Sequence, residues 1–186
     1  MGNSATSNAD KIYTLLHAEK NEADVECKRL TDQYYMLKGG LQRTSPVPPE
    51  LDLSKISSVL DVAAGNCIWI LDFASQPEIE CRVQLTEPSI ELHACDIDLG
   101  KFPPSARLSK KGVKGFQHDV TRPFPEEMRH RFDLIHMSIL IGALSSKQWE
   151  VAIRNLRDAL SMSSFQVCCC NSADVRYLKN REVFSF

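Results

Sequence analysis

Three aspartates and one tight turn are the residues here whose types and order could hold a polar ligand. Asp61 ends the apolar run "SSVLD", Asp96 ends "IELHACD", and Asp119 ends "VKGFQHD". The turn lies in "LDVAAGNCI" (60–68), where a buried strand runs through Asp61 and around Gly65 into Ile68-Trp69-Ile70, the start of a helix. A carboxylate at the end of a second strand can accept from both hydroxyls of a ribose. One at the end of a third can accept from the exocyclic amine of adenine, and one beside the first turn can meet a cationic amine. The turn itself offers backbone N–H groups. Each Asp alone is an ordinary capping or loop residue. In order, at three consecutive strand ends, they favour a nucleoside cofactor.

The elements needed to place these acids can be read from periodicity. "SSVLDVA", "IELHACDID", "VKGFQHDV", "RFDLIHMSI" and "SFQVCCC" are short apolar runs that predict strands. "SSKQWEVAIRNLRDAL" predicts a helix: Ser145 and Gln148 form a capping box, and Trp149, Ala152, Ile153, Leu156 and Leu160 share one face. Strands alternating with helices imply an α/β fold. The expectation is a Rossmann-like, mostly parallel sheet of about five strands with helices on both faces, ligands sitting beyond the strands' carboxyl ends. Upstream, Ala23, Cys27, Leu30, Tyr34 and Leu37 form one helical stripe closed by Gly39-Gly40, and the proline-rich "TSPVPPELD" follows as a connector. Residues 1–50 therefore read as a polar tail and helical arm, and 51–186 as the domain proper. "PEIECRVQLTEPS" reads as extra loop.

Composition narrows the partners. The 186 residues are 43% hydrophobic and 25% charged, as in an ordinary globular protein, and the net charge of −2 gives no basic face for nucleic acid. Seven cysteines, an odd number without a C-x-x-C pair, suggest neither a disulfide framework nor a metal site. Cys168, Cys169 and Cys170 are consecutive, so on a strand they alternate between faces and cannot converge on one ion. A reducing, cytoplasmic compartment fits, with the nucleus not excluded. The first residues lack an apolar secretory centre, and "LIHMSILIGAL" is too short to span a bilayer. "MGNSAT" fits the short pattern for myristoylation of Gly2, but no basic cluster reinforces it, and no membrane partner is expected.

At this point the chain resembles class I S-adenosylmethionine-dependent methyltransferases, in particular the fungal branch associated with secondary-metabolite clusters and their regulators. "RLTDQYYMLKGGL", "VLDVAAGNCIWILDFA", "CDIDLGKFPP", "DVTRPFP" and "FDLIHMSILIGAL" carry the likeness, in family order, over residues 25–160. The resemblance implies S-adenosylmethionine as cofactor and Asp61, Ala63, Gly65, Asp96, Ile97, Asp119 and Val120 as its binding positions. Asp96 would hold the ribose, Asp119 would lie near the adenine, and Gly65 would let the backbone approach the methionine part. His136, just past the fourth strand, is the one candidate base, with a packed or capping histidine as the other reading. The implied reaction is in-line displacement at the sulfonium methyl by a small-molecule acceptor.

The family turn G-x-G-x-G reads Ala63, Gly65 and Cys67 here, Met137-Ser138 stand where Gln-Arg is frequent, and the likeness stops after Leu160. A left-handed backbone at Ala63 or Cys67 would cost about 1–2 kcal/mol each; side chains crowding the ligand are the alternative. The expected C-terminal truncation leaves no sixth or seventh strand and an exposed sheet edge, to be covered by a protein partner or a second copy. Two functions stay open: an active methyltransferase, and a non-catalytic relative acting as an interaction or regulatory protein. A nicotinamide-dependent oxidoreductase needs G-x-G-x-x-G, which "AAGNCI" does not supply.

Overall fold

The computed structural model describes residues 20–49, 51–84, 89–138, 140, 143–161, 166–171, 174–179 and 182–185, with 20–23, 84 and the last three segments as backbone. Gly2 and its myristoylation pattern lie outside the described residues. Strands β1 (Ser58–Val62), β2 (Glu91–Asp96), β3 (Val113–Gln117), β4 (Leu134–Ser138), β5 (Gln166–Asn171), β6 (Asp174–Lys179) and β7 (Glu182–Ser185) form one sheet in the order β3-β2-β1-β4-β5-β6-β7. The first five run parallel, and β6 and β7 are antiparallel. The chain is thus α/β and Rossmann-like, with the strand order reversing between β1 and β4. Loops diverge there, opening a crevice beyond the carboxyl ends of the strands.

The helices are α1 (Lys20–Gly40), α2 (Ile68–Phe73), α3 (Pro77–Gln84), α4 (Ser105–Lys110) and α5 (Ser146–Ala159). Alternation along the strands splits the core. Val59, Leu92, Ala94 and Leu134 face one side, with Trp69, Ile70 and Phe73 of α2. Leu60, Val62, Ile135 and Met137 face the other, with Ala152, Leu156 and Ala159 of α5. The predicted capping box of α5 is present. Its buried Asn155 donates from Nδ2 to the Val120 carbonyl at 2.8 Å, fixing the loop after β3.

Three local expectations are corrected. Pro77–Gln84, read as loop, is a helix: Pro77 is pre-set for the first helical position, and Glu78 and Glu80 suit the positive end of the helix dipole. Ile79 is fully buried beneath it, and Arg82 donates to the Leu53 and Ile56 carbonyls at 2.9 and 2.7 Å. The sheet does not stop at β5. Val175, Tyr177, Val183 and Phe184 supply β-favouring residues on either side of Asn180, and their segments form β6 and β7, so the edge of β5 is paired. Gly39 and Gly40 end α1 from within; the left-handed residue is Gln42 (φ 52°), and Arg43 N–H closes back on the Lys38 carbonyl at 3.0 Å.

The arm packs onto the domain. Asn66 donates to Thr31 Oγ1 at 2.7 Å and to the Cys27 carbonyl at 2.9 Å, Lys38 pairs with Asp72 at 2.6 Å, and Tyr34 donates to the same carboxylate. Among the described residues no helix is long and apolar enough to cross a membrane.

His93 on β2 is buried between the edges of Phe116 and Phe132, with neither ring nitrogen hydrogen-bonded. Burial, helped by the Arg131 charge and opposed by the Glu91 carboxylate 3.6 Å from Nε2, lowers its pKa from the ordinary histidine range. A histidine depressed in the fold contributes stability that is complete above its unfolded pKa and is lost as pH falls through that range. The melting temperature should therefore fall between pH 7.5 and 5.5 (about one unit either side of the ordinary histidine value). His93→Phe should remove part of that fall; an unchanged pH slope in the variant would contradict it.

Candidate functional site

His136 lies at the middle of β4 rather than past its end as expected, and the parallel pairing of β1 with β4 sets it beside Asp61, so both side chains rise on the same sheet face. Asp61 Oδ1 and His136 Nδ1 are 2.7 Å apart, in a bond that Nδ1–H donates when the carboxyl is ionised. The pair is buried, at 2% and 3% exposure. The Trp69 indole covers the imidazole, the rings lying 3.9 Å apart and 2° from parallel, and Trp69 Nε1 donates to the Pro46 carbonyl at 3.1 Å. Asp61 Oδ2 is buried without a hydrogen-bond partner. Burial pushes the Asp61 carboxyl above its ordinary range, opposed chiefly by the bond to His136 and its charge.

The turn after β1 answers how the chain replaced two glycines. Ala63, Gly65 and Cys67 all take the left-handed conformation, at φ 53°, 55° and 59°. The glycine-demanding backbone is thus kept although the glycines are not, with strain at Ala63 and Cys67 of about 1–2 kcal/mol each. It is held from outside. Gly65 N–H donates to Asp96 Oδ2 at 2.8 Å, and Ala64 N–H to the Cys95 carbonyl at 3.0 Å. The Cys67 side chain is fully buried in the core. At Gly65 a Cβ would meet Leu30 Cδ1 at 3.0 Å, so a side chain there would add left-handed strain and require the Leu30 tip to give way by a few tenths of an ångström.

Around this turn lies a cavity of about 270 Å³. Asp61, Ala63, Gly65, Asp96, Ile97, Val120 and His136 line it together. Asp96, 8% exposed, also accepts the Asp98 N–H on Oδ1 at 3.0 Å. Asp119 does not join them. It lies two residues past β3, and its Oδ1 accepts from Thr121 N–H at 2.9 Å and Thr121 Oγ1 at 2.7 Å, capping its own loop. Its neighbours His118 and Val120 face the cavity instead. Among the described residues no group of three or more His, Cys, Asp or Glu could hold a metal ion.

Sequence reasoning missed several lining residues: Trp69, Asn66, His118, Ser138, and Glu26, Arg29 and Tyr34 of α1. Trp69 was within reach, being the aromatic that follows the turn in "NCIWI". The α1 residues had no local signal, since only tertiary packing brings them over the cavity. Glu26 and Arg29 pair there at 2.6 Å, and that bond holds the Glu26 carboxyl below its ordinary range.

Comparison with known proteins agrees with this geometry. No protein-family model matches the chain. It is 26% identical over 140 residues to the methyltransferase grgD of Penicillium sp, covering 74% of this chain and 46% of that protein. It is 23% identical over 107 residues to the secondary metabolism regulator laeA of Gibberella zeae, covering 58% and 30% respectively. The chain thus spans less than half the length of these curated relatives. The fold matches a DhpI–SAH complex (TM-score 0.54, 16% identity, 97% of this chain and 80% of that one). It also matches PigF with SAH (TM-score 0.53, 15% identity, 89% and 44%). The resemblance to class I S-adenosylmethionine-dependent methyltransferases of the fungal secondary-metabolism type is borne out.

Ala63→Gly should release the left-handed strain at a half-buried position. Stability should rise by about 1 kcal/mol, or about 2–4 °C in melting temperature. Cys67→Gly should gain less, because losing a fully buried side chain offsets the same relief. A lower melting temperature for Ala63→Gly by thermal denaturation would contradict the strain assigned to the turn.

Proposed function

We propose that the cavity at the strand-order reversal binds S-adenosylmethionine and that the chain is a methyltransferase domain acting on a small molecule of secondary metabolism. The observation that carries this reading is the unpartnered buried Asp61 Oδ2 on a residue lining that cavity. An orphaned carboxylate oxygen is costly unless a ligand supplies a donor, and a cationic amine is the donor that answers both its charge and its lone pairs. The remaining donor set fits the same ligand. Each Asp96 oxygen already accepts one N–H and keeps a second acceptor site for a ribose hydroxyl. Ile97 and Val120 offer apolar surface for a flat base, and the left-handed turn keeps the backbone low.

When bound, the cofactor supplies a methyl group on a sulfonium, a reactive centre whose displacement needs alignment more than chemical assistance. The chain's own part is to hold and to dry the site. Asp61 takes the positive end and Asp96 the sugar, while Trp69, Leu140 and Leu144 give the acceptor side an apolar lining. The two fungal relatives, one described as a methyltransferase and one as a regulator of secondary metabolism, support the small-molecule setting. A second reading, a non-catalytic regulatory protein on the same fold, is favoured by one observation: the turn carries Cβ atoms at two left-handed positions.

Differential scanning fluorimetry with S-adenosylhomocysteine tests the binding. A ligand at one hundred times its dissociation constant stabilises by about 2.7 kcal/mol, hence about 5–10 °C here. Asp96→Ala should abolish the shift. Asp119→Ala should lower the starting melting temperature through its lost loop cap yet keep the shift. No shift at millimolar ligand would overturn the proposal; a shift without methyl transfer to any acceptor would favour the regulatory reading.

A further inference from the structure

The sequence offered His136 as a proton acceptor, but the geometry around it points to another role. Its ring is 3% exposed, covered on one face by the Trp69 indole at 3.9 Å and bound through Nδ1 to Asp61 Oδ1 at 2.7 Å. Trp69 is itself fixed by its bond to the Pro46 carbonyl in the connector. The four groups form a chain from the arm to the cavity: Pro46 holds Trp69, Trp69 flattens His136, and His136 takes one oxygen of Asp61. The other oxygen, Oδ2, is left unpartnered on a cavity-lining residue. We infer that His136 is a positioning residue, donating from Nδ1 to Asp61 Oδ1 and so holding Oδ2 ready for the cationic end of the cavity ligand. The inference rests on the cofactor reading for the identity of that ligand, but not for the orientation of the carboxylate.

The physical need is plain. A carboxylate buried this deeply rotates freely or takes up a proton unless a donor fixes it, and either change removes the anion that a cationic ligand seeks. The titratable groups around Asp61 are Asp96 on β2, the thiols of Cys67 and Cys95, and the Tyr34 hydroxyl on α1. Burial raises both thiols and the hydroxyl, keeping them neutral, and Asp96 repels the Asp61 charge. The Ile70 N–H at the start of α2 also favours the Asp61 charge, but more weakly than the His136 bond, and none of the titratable groups supplies that bond.

Two substitutions separate positioning from proton transfer. An Asn side chain at 136 can present an amide N–H near the place of Nδ1 but cannot act as a base, and Leu can do neither. Isothermal titration with S-adenosylhomocysteine should give His136→Asn an affinity within about threefold of the parent. His136→Leu should be weaker by about tenfold or more, the size of one charge-assisted hydrogen bond. Equal losses in the two variants, or none in His136→Leu, would overturn the inference. The ligand-free protein gives an independent readout. Carbon-13 spectra should show Asp61 ionised at pH 7 in the parent and in His136→Asn, and protonated in His136→Leu. Nitrogen-15 spectra of the parent should show a proton on His136 Nδ1, and a neutral ring protonated on Nε2 alone would overturn the inference even if His136→Leu fails to fold. If the parent binds no S-adenosylhomocysteine, the cofactor reading falls, and the spectra still decide the orientation.

Discussion

A carboxylate and an imidazole buried together under an indole organise this molecule. Removing the Asp61 carboxylate from water carries a penalty of several kcal/mol, and the single bond to His136 offsets only part of it. The sheet makes the pairing possible because β1 and β4 are adjacent and in register, so the two side chains leave the same face at the same height. Strands built purely for stability would carry apolar residues there, as at Val59 and Leu134 one step earlier. A polar pair kept in an apolar layer, with one oxygen still unanswered, costs the fold stability, and that cost is what marks this spot as the candidate site.

The turn beside it obeys the same logic. Three alternate positions hold left-handed backbone, and only one is glycine. The conformation survives because Asp96 grips the Gly65 N–H, the Cys95 carbonyl takes Ala64 N–H, and Cys67 anchors in the core. Asp96 therefore serves the fold and the cavity at once. The arm adds a further restraint: Asn66, inside the turn, is bonded to two groups of α1, so helix and turn are one mechanical unit.

The sheet's first five strands, the α5 helix with its cap, and the meeting of Asp61 and Asp96 at one cavity were legible because each rests on local signals: apolar runs, a Ser-x-x-Gln box, and acids at strand ends. The misreadings have physical causes. "PEIECRVQLTEPS" reads as extra loop in the long span from Gly65 to Asp96, yet Pro77 at a first helical position makes Pro77–Gln84 a helix. The hairpin of β6 and β7 was overlooked because the family likeness ended before it, although Val175, Tyr177, Val183 and Phe184 were there to be counted. Asp119 stands apart from the cavity lining for a local reason: an Asp followed two residues later by Thr121 caps its own loop. That Trp69 would cover His136, and that α1 would wall the cavity, needed the packed molecule.

The most direct test of the account is an amide chemical-shift map of the protein titrated with S-adenosylhomocysteine. The largest shifts should fall on Ala63, Gly65, Ile97 and Val120, with the Asp61 carboxyl carbon moving alongside them. Saturable shifts centred elsewhere on the surface, with the Asp61 signal unmoved, would contradict it.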